Sequence, residues 1–163
     1  MRWHSLIATS LAVLALTACS SKKVIQTQAG TTTVETNALH NTVKVTSKQG
    51  TAIIGKGAVD PSALGLPLYP GAISSQTGGM AATTHEGSSH VVSLTTKDSF
   101  DQVYQWYKGH MPAGSEQLHM QAASGSIATF LIGKQGDRDQ RSVQIQATQD
   151  TTTILLSHIT KNG

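Results

Sequence analysis

The chain is predicted to be α+β, with one helix packed on a mainly antiparallel sheet and a β-hairpin-rich N-terminal extension before it. Val143, Ile145 and Ala147 alternate with Gln144, Gln146 and Thr148, the period of a half-buried strand. Phe100, Val103, Tyr104, Tyr107 and Met111 instead share one stripe at helical spacing. The Thr-rich segments before residue 57 fall in pairs around short turn sequences, as hairpins do. Only 13% of residues are charged, and Ser, Thr and Gln fill the polar positions, a composition that suits an exported β-rich protein.

From the N-terminal side, residues 20–37 read as a polar tether in which Val24–Gln28 and Thr31–Thr36 can pair across Ala29-Gly30. A second hairpin follows, Thr42–Ser47 and Thr51–Gly55 around Lys48-Gln49-Gly50. The two echo each other at a spacing of 20: Ile25 matches Val45, Gly30 matches Gly50, Thr31 matches Thr51, and Val34 matches Ile54. Two copies are fewer than the three or more a solenoid needs. Gly55–Gly71 is broken by Pro61, Pro67 and Pro70 and reads as the linker into the main domain. Gln76–Ser89, with Gly78-Gly79 and Gly87-Ser88-Ser89, reads as loose. The expected organisation is therefore a leader over 1–18, a tether and hairpin extension over 19–57, and an α+β domain over 58–163.

Within that domain Val91–Thr96 is strand-like. A helix follows, with Asp98 as N-cap, Asp101 in its first turn, and Gly109 and Pro112 closing it. Trp106 lies on the flank of the apolar stripe and is expected to pack under the Gln76–Ser89 stretch. Strands are expected at Gln117–Gln121, Ile127–Gly133, Val143–Thr148 and Thr153–Thr160, with a tight turn at Gln149-Asp150-Thr151 and a charged one at 136–140. Phe130-Leu131-Ile132 is continuously apolar, as for a central strand covered on both faces.

The first residues carry a different signal. Arg2 precedes an apolar run, Leu6–Leu16, too short to span a bilayer, and the run ends in Leu16-Thr17-Ala18-Cys19. Cys19 is the single cysteine, so no internal disulfide can form. This arrangement resembles the lipobox of bacterial lipoproteins. The resemblance implies loss of residues 1–18, a diacylglyceryl thioether on Cys19 and a further acyl chain such as palmitate on its amine. More than one chain is needed for durable anchoring, because each buried CH₂ contributes about 0.8 kcal/mol. By the family's sorting habit, Ser20 after the cysteine implies the outer membrane, facing the periplasm. The expected partners are membrane lipid through acylated Cys19 and an envelope protein. Nucleic acid is not expected, since no basic run exists beyond Lys22-Lys23.

Leu66-Pro67-Leu68-Tyr69-Pro70-Gly71-Ala72, then Leu94–Phe100, Val103, Trp106-Tyr107 and Met111-Pro112, resemble an uncharacterised bacterial envelope module over roughly residues 60–160. That module pairs a "YPGA" element with an aromatic helix, and the resemblance implies a fold without an assigned catalytic role. Physically, Tyr69-Pro70-Gly71 is a turn sequence, with Pro70 fixing φ and Gly71 free to take positive φ.

Chemistry-bearing groups are sparse. His85, His90, His110 and His119, with Met80, Met111 and Met120, are the residues of an alternative copper- or zinc-binding reading, although Met111 also completes the helix stripe. Their spacing matches no ligand pattern, so no metal and no cofactor is expected. His85-Glu86-Gly87-Ser88-Ser89-His90 spaces its histidines at i and i+5, whereas the zinc-protease helix needs i and i+4. Asp137-Arg138-Asp139 opens like a calcium loop but continues with Arg141 and Ser142 where an oxygen ligand and a glycine belong. No Gly-x-Ser-x-Gly elbow is present. The expectation is a non-enzymatic, lipid-anchored envelope protein with a binding or structural role.

Overall fold

The computed structural model describes residues 20–27, 30–148 and 150–163. Cys19 and the leader before it lie outside those residues, as do Ala29 and Gln149 of the two expected turns. Ten strands follow in chain order: β1 (Ser20–Thr27), β2 (Gly30–Asn37), β3 (Thr42–Ser47), β4 (Gly50–Gly55), β5 (Ile73–Thr84), β6 (Gly87–Thr96), β7 (Glu116–Ala122), β8 (Gly125–Ile132), β9 (Asp139–Thr148) and β10 (Thr151–Lys161). One helix, α1 (Phe100–His110), lies between β6 and β7. All strands form one antiparallel sheet in the order β1-β2-β3-β4-β5-β6-β10-β9-β8-β7.

This corrects the α+β expectation. Among the described residues the fold is predominantly β, a single ten-stranded sheet with one short helix, and the hairpins form no separate N-terminal extension. The physical reason lies at β4 and β5, which pair from Gly50↔Thr84 to Gly55↔Gly79 and carry the ladder across the expected boundary. Gln76–Ser89 reads as loose by side-chain pattern, yet it is the end of β5, a two-residue turn and the start of β6, because backbone pairing does not require apolar side chains. Gly78 makes the approach possible. Its φ is 67°, and a Cβ there would sit 2.5 Å from the carbonyl carbon of Gly55. A bulge between Ser74 and Gly79 absorbs the extra residues.

From β6 the chain crosses the sheet as α1, descends at the far edge as β7, and returns as a meander until β10 closes against β6. The crossing lays α1 over β9. Val103 and Tyr107 are fully buried at the helix–sheet contact, where they meet Phe130, Val143, Ile145, Ile154 and Leu156. Gly55–Gly71 is not a passive linker. A 3-10 turn at Pro61–Leu64 contacts β10, and Leu64 and Leu66 sink into the same core.

The helix begins one residue later than expected. Ser99, not Asp98, is the N-cap; its hydroxyl accepts from the Gln102 backbone while the Gln102 side chain accepts from the Ser99 backbone. β8 also departs from its expectation. Phe130 is buried, whereas Leu131 is half-buried on a face that no described layer covers.

Candidate functional site

On the helix side, the two parts of the "YPGA" pattern pack against each other. Ala72 N–H donates to the Tyr69 carbonyl, and Gly71 takes φ 79°, so Tyr69–Ala72 is the turn its sequence suggests. The turn aims the Tyr69 ring edge-on at Trp106 (centroids 5.4 Å, 80°) and its hydroxyl at Asp98 Oδ2, 2.7 Å away. Trp106 therefore packs against Tyr69 rather than under the Gln76–Ser89 stretch, and it also meets the Tyr107 ring edge-on at 4.8 Å and stacks on the His110 ring at 4.0 Å. Partial burial and the Asp98 carboxylate push the Tyr69 hydroxyl up to about 12. Deeper in, burial drives the Tyr107 hydroxyl well above its ordinary range while it donates to the Pro67 carbonyl. Each of these polar groups has a structural partner.

The expected histidine candidates are placed apart. His85 sits in the turn between β5 and β6, and His90 lies on β6 opposite His158 of β10. His110 ends α1, with Nδ1 2.7 Å from the Trp106 carbonyl oxygen. His119, on β7, stacks on Tyr104 at 4.0 Å. Among the described residues, no group of three or more His, Cys, Asp and Glu side chains could hold a metal ion. His158 escaped the sequence reading. Its Nε2 lies 3.2 Å from Asp139 Oδ1, and the same carboxylate pairs with Arg141.

The register separates the two faces of the sheet by charge. The strands hold eight Asp, Glu, Lys and Arg residues. Six of them, Lys22, Glu35, Lys44, Glu116, Asp139 and Arg141, fall on the helix side. Lys22 and Glu35 pair at 3.0 Å there, and Lys22 first, then Lys44, holds the Glu35 carboxyl below the usual range. Only Lys23 on the edge strand and Lys161, the last residue of β10, point to the other side. Lys161 Nζ turns away to the Gly136 carbonyl.

Between those two limits the outer face is neutral. One cross-strand row reads Val43, Ile54, Met80, Val91, Ser157 and Ser142. The next row reads Val34, Val45, Ala52, Ala82, Ser89 and Ile159. A third, shorter one reads Ser93, Leu155, Gln144 and Thr129. Ile54 and Met80 are 47% and 39% exposed, and Leu118 and Met120 extend the apolar surface to the far edge at 41% and 55%. The echo at a spacing of 20 now has a structural meaning, because Ile25, Val34, Val45 and Ile54 all fall on this face. Every described Tyr, Phe and Trp side chain belongs to the helix-side assembly instead. Sequence reasoning missed this surface because charge segregation is visible only once the register is known.

A family model described as START domain-like matches residues 73–153, from the start of β5 into β10 and including α1. Neither the curated proteins nor the solved structures include one that matches this chain.

Proposed function

We propose that this chain is a lipid-anchored, non-catalytic binding protein of the bacterial envelope, held by acylated Cys19 in the outer membrane facing the periplasm and working through the neutral outer face of its sheet. The observation that carries the binding role is that face. An exposed sheet surface in water ordinarily carries charge as well as hydroxyl groups, and contiguous exposed apolar surface marks a docking site. Here six of the eight strand charges are collected on the opposite side. The START domain-like match supports a binding module rather than an enzyme. The lipobox-like Leu16-Thr17-Ala18-Cys19 supports the anchor. Since β1 starts at Ser20, the sheet would begin one residue from the acylated cysteine, with little slack between fold and lipid.

The reading is tested by mass spectrometry of the native N-terminus, fractionation of a Cys19→Ser variant, and crosslinking in intact envelopes. The expected results are an acylated Cys19 at the mature start, release of the variant from the membrane fraction, and loss of crosslinked products when Leu155→Glu places a charge on the outer face. An unmodified thiol removes the anchor. Crosslinks indifferent to Leu155→Glu remove the binding surface.

A further inference from the structure

We infer that the outer face is occupied by the same face of a second copy of this chain, forming a back-to-back β-sandwich dimer. The inference rests on the reading of that face as a docking surface and names its partner.

Identical faces meeting about a two-fold axis bury like against like. A face with scattered charges would bring equal charges together or strip water from unpaired ones. This face has none between Lys23 and Lys161, so it can meet itself without that penalty. Few surfaces are self-complementary in charge, and this one is so by the absence of charge. Alternating apolar and hydroxyl or amide side chains also suit sheet-on-sheet packing, where apolar groups interdigitate and Ser, Thr and Gln pair across the interface. Ser142 and Ser157 already pair at 2.7 Å on this face, so their hydroxyls do not demand water.

Two other occupants fit less well. A glycan is held by aromatic platforms, and every described aromatic ring lies on the helix side. A bilayer would strand the hydroxyl and amide groups of Ser93, Gln144 and Thr129 in hydrocarbon. Geometry agrees with the anchor. Two sheets packed face to face keep their strands within about 30° of each other. An axis running along β1 then leaves both copies' Ser20 at the same end of the dimer, so both acylated cysteines reach one leaflet.

The test uses sedimentation of the full mature chain carrying Cys19→Ser, which removes micelle effects, and of the lipidated protein in nanodiscs. The expected species is a dimer in both. Ser93→Lys with Gln144→Lys on the outer face weakens association by about tenfold or more. Thr46→Lys, on the helix side of β3, leaves the dimer intact, and thermal melts confirm that all variants fold. A monomeric parent chain, or dimers equally sensitive to Thr46→Lys, overturns the inference. Envelope crosslinking separates this failure from that of the docking surface. A monomer whose crosslinks to another envelope component still vanish on outer-face charging has a binding face with a different partner.

Discussion

The two faces of one sheet solve opposite problems. The helix side contains every buried hydrophobic side chain among the described residues, between Leu64 and Leu156, and collects six of the eight strand charges around that core. The outer side holds Val, Ile, Leu and Met at half exposure, separated by Ser, Thr and Gln. Strand pairing is common to both, so it cannot account for the difference. Covering does: α1 and the Gly55–Gly71 strap remove water from one side only. The outer face has no described layer over it and no charge between Lys23 and Lys161, and the proposed docking role rests on that combination.

The comparison is broken most directly at the core. Phe130→Ala removes a ring that is 1% exposed beneath Tyr104 and Tyr107, and is expected to cost about 3–5 kcal/mol, read as a drop in denaturant midpoint. The join between the hairpins and the rest comes next. Gly78→Ala forces a side chain into a left-handed backbone against Gly55, with an expected loss on the order of 1–3 kcal/mol. Hydrogen exchange in that variant should quicken first in β4 and β5, not in β8 or β9. Ser99→Ala deletes the capping box, and about 1 kcal/mol should go with it, visible in the thermal midpoint.

The Tyr69–Asp98 contact sharpens the comparison through pH. The folded hydroxyl titrates near 12 against an ordinary 10.0, so its stabilising contribution is complete below pH 10 and disappears as pH rises toward 12. Tyr69→Phe should flatten that alkaline loss in a melting series, at the cost of a modest drop in stability at neutral pH where the hydroxyl's contribution is complete. The smallest effect belongs to the outer face. Ile54→Thr, at a site 47% exposed, should shift the unfolding free energy of the dilute chain by less than about 1 kcal/mol. An outer-face change as damaging as Phe130→Ala would erase the distinction between the faces.

Local signals carried part of this architecture into the sequence. The stripe Phe100, Val103, Tyr104, Tyr107 and Met111 marks a helix wherever its partner lies, and the Val143–Thr148 alternation marks a half-buried strand. Tyr69-Pro70-Gly71 announces its turn because Pro70 fixes φ and Gly71 tolerates the positive φ that the turn requires. Long-range pairing was not legible. Gln76–Ser89 has the Gly and Ser content of a loop, and only the partners of β5 and β6 make most of it strand. The cap moved from Asp98 to Ser99 because Asp98 is engaged from outside the helix, by the Tyr69 hydroxyl at its side chain and the Thr152 hydroxyl at its carbonyl. The neutral face was hidden for the same reason, since it is a property of nine registers taken together.

The most direct test of the central claim is oxidative footprinting of the methionines in intact envelopes and in the purified chain at high dilution. Met80 and Met120 lie on the outer face at 39% and 55% exposure, while Met111, at 7%, reports that the fold is intact. A covered outer face predicts that Met80 and Met120 are protected in the envelope and oxidised in the dilute chain, with Met111 slow in both. Equal oxidation of Met80 and Met120 in the two settings would mean that the face meets nothing but water.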